Sequence, residues 1–174
     1  MQKIMFSDKF NLTKAVLDGR KTMTRRIVRN PEEVEINGHK YLQTEKLRYK
    51  VGEVVAVAQS YKDTGNYPES YIIDEFHPNI EFEAGWKNKM YVRAVLMTHL
   101  IRITNVRVER MQDISDEDCV KEGVWEAQQV NYTSIDGIPF SPREAFAALI
   151  DKMSGKGTWA SNPWVFVYEF ELVK

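Results

Sequence analysis

With one cysteine, Cys119, the chain cannot close a disulfide on itself, which points to a reducing, cytoplasmic setting. Histidine is scarce as well. His39, His77 and His99 fall in three separate segments and make a poor metal set with a lone thiol. Neither a metal nor another cofactor is therefore expected. Apolar runs long enough to span a bilayer are missing, and the stretch Met1 to Asp8 lacks the apolar core of a signal peptide, so no membrane partner is expected either. No charge sign dominates: Lys and Arg total 24 against 25 Asp and Glu, a formal net charge of −1. That balance excludes a whole-molecule trap for polyanions. A phosphate-binding Gly-rich loop, a Gly-x-Ser-x-Gly elbow and a His-Glu-x-x-His pair are all absent, which removes the commonest nucleotide-hydrolase, serine-hydrolase and zinc-peptidase signatures.

What is present reads as one ordinary globular domain. The 174 residues are 43% hydrophobic and 28% charged, enough for a single core, and no repeat or linker divides them. Spacing predicts a helix over 8–18, with Leu12, Ala15 and Val16 on one face and Gly19 as its stop. Strands are expected over 23–28 and 54–58. Asn30-Pro31 and Asn37-Gly38 punctuate what reads as an irregular stretch. A further strand over 100–111 carries a register change near Asn105. Ser115 opens a short acidic helix that Gly123 ends. Ser141, Pro142 and Glu144 open a longer one with Phe146, Leu149, Ile150 and Met153 on its apolar side. In the last strand, 164–173, aromatic residues alternate with Val165, Val167, Glu169 and Glu171. Strands among few short helices, without a strand–helix–strand rhythm, indicate an α+β fold: a small mixed β-barrel with peripheral short helices.

Charge is uneven along the chain. Lys14, Arg20, Lys21, Arg25, Arg26 and Arg29 face only Asp18 in their segment, whereas Glu109 to Glu126 is strongly acidic. The two segments either neutralise each other or build an anion-binding surface beside a catalytic acid. Within Gly19-Arg20-Lys21-Thr22-Met23-Thr24-Arg25-Arg26, Lys21 and Thr24 are the pair with chemistry. A Thr hydroxyl becomes a nucleophile when a base takes its proton, and a buried Lys beside other cations can be that base. A regular strand would send residues 21 and 24 to opposite faces, so they converge only if 19–24 contains a loop or bulge. The alternative is an idle, solvated cluster. Cys119, among acidic neighbours, is not expected to be a nucleophile.

The pattern Gly19-Arg20-Lys21-Thr22-x-x-x-Arg26 resembles the signature of the ASCH domain, a member of the PUA-like β-barrel superfamily. Lys50-Val51-Gly52-Glu53-Val54-Val55 resembles the family's next element, and 165–172 its closing strand. The likeness is greatest to larger phage and prophage members and leaves 29–46, 62–89 and 125–140 as insertions in a single domain. It implies a cleft for RNA or a nucleotide-like ligand. A subgroup hydrolyses N4-acetylcytidine with a Lys, a Thr and a Glu on a later short helix. Lys21 and Thr24 match the first two, and Glu122 falls in register as the third. On that resemblance the expected catalytic set is Lys21, Thr24 and Glu122, with Arg20, Arg25 and Arg26 holding the ligand, an RNA or modified nucleoside. The competing expectation is a non-catalytic RNA-binding module. In it Lys14, Arg20, Lys21, Arg25, Arg26 and Arg29 would contact the backbone, and Tyr61, Trp86 or Trp159 would stack on bases.

Overall fold

Leu12, Ala15 and Val16 recur at helical spacing and are buried together, and the chain winds there into helix α1, Leu12–Leu17. The helix starts later than the spacing predicts because Asn11 adopts a left-handed backbone (φ 55°), which a right-handed helix cannot pass through. The computed structural model describes residues 1–69, 80–125 and 141–173. Residues 70–79, with His77, and nearly all of the expected insertion at 125–140 lie outside the described residues.

Among the described residues there are seven strands, in chain order β1 (Lys3–Ile4), β2 (Met23–Ile27), β3 (Glu32–Ile36), β4 (His39–Gln43), β5 (Val54–Val57), β6 (Leu100–Arg110) and β7 (Trp164–Leu172). The other α-helices among the described residues are α2 (Tyr61–Thr64), α3 (Asp116–Lys121), α4 (Pro142–Ser154) and α5 (Thr158–Ser161). The fold is therefore α+β, with short helices at the periphery. The main sheet runs β1-β5-β6-β7-β2; β1 is parallel to β5 and every other pairing is antiparallel. Among the described residues no ladder joins β1 to β2, so the sheet is curled but not hydrogen-bonded shut. Arg26 of β2 reaches across the gap and donates to the carbonyl of Met5, the residue after β1. The register of β6 against β7 shifts between Ile103 and Asn105, as the broken alternation there predicts.

The stretch expected to be irregular is a hairpin. β3 and β4 pair antiparallel around Asn37-Gly38, whose φ values of 52° and 77° match the mirror-image two-residue turn that suits a right-handed strand twist. Glu33 anchors it to the main sheet by accepting from Arg110 at 2.7 Å and from the Trp164 indole at 3.3 Å.

Among the described residues three buried clusters lie around the sheet, and two of them flank the region of Lys21 and Thr24. One gathers Ile4, Leu12, Val16, Val57, Ile101, Phe166 and Tyr168. The other gathers Met23, Met111, Cys119, Phe146, Val165 and Val167 under α3 and α4. β7 therefore buries both faces over most of its length, with Glu169 and Glu171 as its less buried polar positions.

Candidate functional site

The site begins where α1 ends. The amides of Arg20 and Lys21 both donate to the carbonyl of Ala15, at 2.8 and 3.0 Å, which wraps the chain tightly around the helix terminus. β2 does not start until Met23, so Lys21 stands on a loop and Thr24 on a strand. That arrangement allows the two to share a cavity that a continuous strand would deny them. The loop is clamped from both sides. Thr22 N–H donates to Lys121 O of α3 at 3.0 Å, and Phe170 N–H of β7 donates to Thr22 O at 2.9 Å.

Lys21 is 2% exposed. Its ammonium has three acceptors: Met23 O at 2.6 Å, Glu122 O at 2.6 Å and Glu122 Oε2 at 2.7 Å. Burial nevertheless pulls the Lys21 pKa below 10.5; the Glu122 carboxylate works against that pull and Arg26 and Arg25 add to it. Three acceptors suit the ammonium, and lost hydration favours the amine, so the proton on Lys21 is held by opposed forces.

Glu122 caps the C-terminal end of α3 and is 5% exposed, so it is not part of the solvated surface of that helix. Its second oxygen, Oε1, accepts from Arg25 Nη1 at 3.1 Å. Arg25 also reaches Glu109 at 2.6 Å and Asp118 at 3.1 Å, and Arg107 joins the same two carboxylates at 2.9 and 2.6 Å. Burial opposes the charge on Arg25, but Glu122 and Glu109 together outweigh it and raise its pKa. The basic and acidic segments thus meet in one buried ion network.

Gly123 matters for space. It sits at φ 78°, and a Cβ there would lie 3.3 Å from Lys21 Cβ and 3.5 Å from Leu12 Cδ2. The backbone of the α3 terminus can press against the Lys21 stem only without a side chain.

Thr24 is 5% exposed, and its hydroxyl has no hydrogen-bond partner among the described residues. Together Lys21, Thr24, Arg25, Arg26 and Glu122 line a cavity of about 60 Å³ whose apolar wall includes Phe6 and Leu149. A buried hydroxyl left without a partner is unusual in a folded chain and marks a place where a ligand or water belongs.

The other expected residues lie elsewhere. Arg20 does not line the cavity; it is exposed and binds Asp18, as does Lys14. Tyr61 is buried under Gly85, Trp86 stacks on Tyr67 at 5.8 Å, and Trp159 packs edge-on against Phe146 and beneath Arg143. Each of the three is engaged in packing within the protein. Cys119 is fully buried and its thiol pKa is pushed up to about 12, chiefly by burial, so it is chemically quiet. Among the described residues no three His, Cys, Asp or Glu side chains gather where a metal ion could sit, and no helix is long and apolar enough to cross a membrane. Spacing gave no sign of Glu109, Asp118 and Arg107 as supports for the site, because their convergence depends on β7 joining β6 to β2 and on where α3 packs.

No family model and no curated protein matches the chain. Among solved structures it is similar to protein EF3133 from Enterococcus faecalis V583, which carries the family name DUF984. Identity is 15% and the TM-score 0.45, with 99% of this chain and 79% of that one covered.

Proposed function

We propose that the cavity is the active site of a metal-independent amidohydrolase that removes a short acyl group from the amino nitrogen of a pyrimidine nucleoside, N4-acetylcytidine being the type substrate. The observation that carries this reading is the buried Lys21–Glu122 pair beside the unpartnered Thr24 hydroxyl on one cavity. In this reading Thr24 Oγ attacks the acyl carbon, and its proton passes to the Lys21 amine in molecules where burial has left that amine neutral. The carbon–nitrogen bond then breaks, and the proton moves to the departing amino group, with Glu122 holding Lys21 in line. Water attacks the resulting Thr24 ester, Lys21 takes a proton from it, the acyl carbon–oxygen bond breaks and the proton returns to Thr24. The sum is amide plus water to amine plus carboxylic acid. Phe6 and Leu149 offer the acyl methyl an apolar wall, and about 60 Å³ suits a short acyl group better than a whole nucleoside.

The test is turnover of N4-acetylcytidine by the folded protein and by Thr24→Val, Lys21→Met and Glu122→Gln. Each change is expected to lower kcat by about 10²-fold or more. Undiminished turnover in Thr24→Val or Lys21→Met overturns the roles assigned. The non-catalytic RNA-binding reading keeps less support: of its six cations, Lys14 and Arg20 are paired with Asp18, and Lys21 and Arg25 are buried against carboxylates.

A further inference from the structure

The small cavity opens beside a much larger groove of about 660 Å³, and the two share Met5 and Arg26 as walls. The groove is lined by Arg26, Arg29, Lys46, Arg48, Glu45 and Tyr49, among others. Its charge stands out against several of the arginines elsewhere in the chain. Arg25, Arg93, Arg102, Arg107 and Arg110 all contact carboxylates. Among the described residues none of Arg26, Arg29, Lys46 and Arg48 has a carboxylate partner. Arg26 spends one donor on Met5 O, and Arg48 rests over the Tyr49 ring at 5.5 Å. The one acid in the groove, Glu45, accepts from the Arg29 backbone amide at 3.0 Å rather than from a side chain. Four cations held around one concavity repel each other unless an anion joins them.

Resting on the hydrolase reading for the small cavity, we infer that the groove is a phosphate subsite: the ligand carries one or more phosphates, which lie along Arg26, Arg29, Lys46 and Arg48 while its acylated base edge enters toward Thr24. Arg26, on the shared wall, touches both parts of the ligand. Guanidinium forks match phosphate oxygens in pairs, and the planar Tyr49 face holds Arg48 without neutralising it. Arg29, Lys46 and Arg48 come from the hairpin margins, so the stretch 29–46, which looked like an appendage to a minimal barrel, supplies half of the anion site. The phosphate belongs either to a mononucleotide or to a nucleotide within a strand.

The experiment measures binding by calorimetry and turnover side by side. Cytidine, cytidine 5′-monophosphate and a short oligocytidylate are the binding probes. N4-acetylcytidine, its 5′-monophosphate and a short RNA holding one such base are the substrates. Wild type is compared with an Arg29→Ala/Lys46→Ala/Arg48→Ala protein, whose changes are all at exposed positions and whose fold is checked by its melting curve. Phosphorylated probes are expected to bind about tenfold or more tightly than cytidine, with an affinity that falls as salt rises and an advantage that the triple variant loses. Equal binding of the monophosphate and the oligomer assigns a mononucleotide; stronger binding of the oligomer assigns a strand. Equal affinity for cytidine and both phosphorylated probes, or an unaltered preference in the triple variant, overturns the inference. Hydrolysis of the nucleoside with no phosphate preference leaves the hydrolase standing and the subsite refuted. Groove-dependent binding without hydrolysis of any substrate does the reverse.

Discussion

The state of one proton decides what Lys21 can do. Burial lowers its pKa below 10.5, so the neutral amine becomes available at less alkaline pH than for a free lysine. If Lys21 is the base, kcat rises with pH along a limb below 10.5. Replacing Glu122 by Gln removes the charge that holds the proton on, which shifts that limb to lower pH; a pH–rate profile of both proteins checks the direction. The same displacement has a stability consequence with a fixed sign. The unfolded chain binds this proton more readily than the folded one, so the Lys21 contribution is fully present above 10.5 and is lost as pH falls through the lowered folded value. Removing Glu122 altogether leaves Lys21 and Arg25 without their shared carboxylate. Glu122→Ala is expected to cost about 3–5 kcal/mol in urea unfolding. Lys21 and Thr24 were legible as a pair because their residue types state a chemistry. Glu122 was legible only through a resemblance, since one acid among many in its segment has no local mark.

Short elements set the geometry of the site more than long ones do. Helix α3 is only six residues, Asp116–Lys121, yet it delivers Glu122 at its end and the Lys121 carbonyl that clamps Thr22. Gly123 lets that terminus lie against the Lys21 stem. Gly123→Ala combines a left-handed backbone with a 3.3 Å contact. We expect it to destabilise by about 1 kcal/mol or more and to reduce turnover beyond the loss of folded protein, read as kcat per folded molecule from parallel melts and assays. The caps of α3 and α4 and the bulge in β6 were readable because Ser, Pro, Glu and broken alternation act locally. The β3–β4 hairpin was missed although Asn37-Gly38 is a strong turn signal. Its flanks, Glu32–Ile36 and His39–Gln43, carry charge where a buried strand would carry apolar residues, and the pairing rests on backbone bonds. The double burial of β7 was hidden for another reason: Val165 and Val167 are covered by α3 and α4, which no periodicity within β7 can announce.

At the scale of the molecule, the two charged segments settle much of the net balance by meeting. Lys21, Arg25 and Arg107 absorb Glu109, Asp118, Glu122 and Glu169, while Arg26, Arg29, Lys46 and Arg48 border the groove. Cys119 reports on the integrity of this arrangement, because it is fully buried beneath the network. A thiol reagent is expected to label it negligibly in native protein and to follow the urea unfolding curve; rapid labelling in the native state, with no loss of structure, contradicts the burial. The order β1-β5-β6-β7-β2 sets one more condition. β7, last of the strands in the chain, is inserted between β6 and β2, and Phe170 on it completes the clamp on Thr22. A ribosome that has already released Lys21 and Thr24 must add well over a hundred residues before either can be held in place. Until β7 arrives, the loop lacks the Phe170 N–H that clamps Thr22. The site is therefore complete only once β7 has paired between β6 and β2.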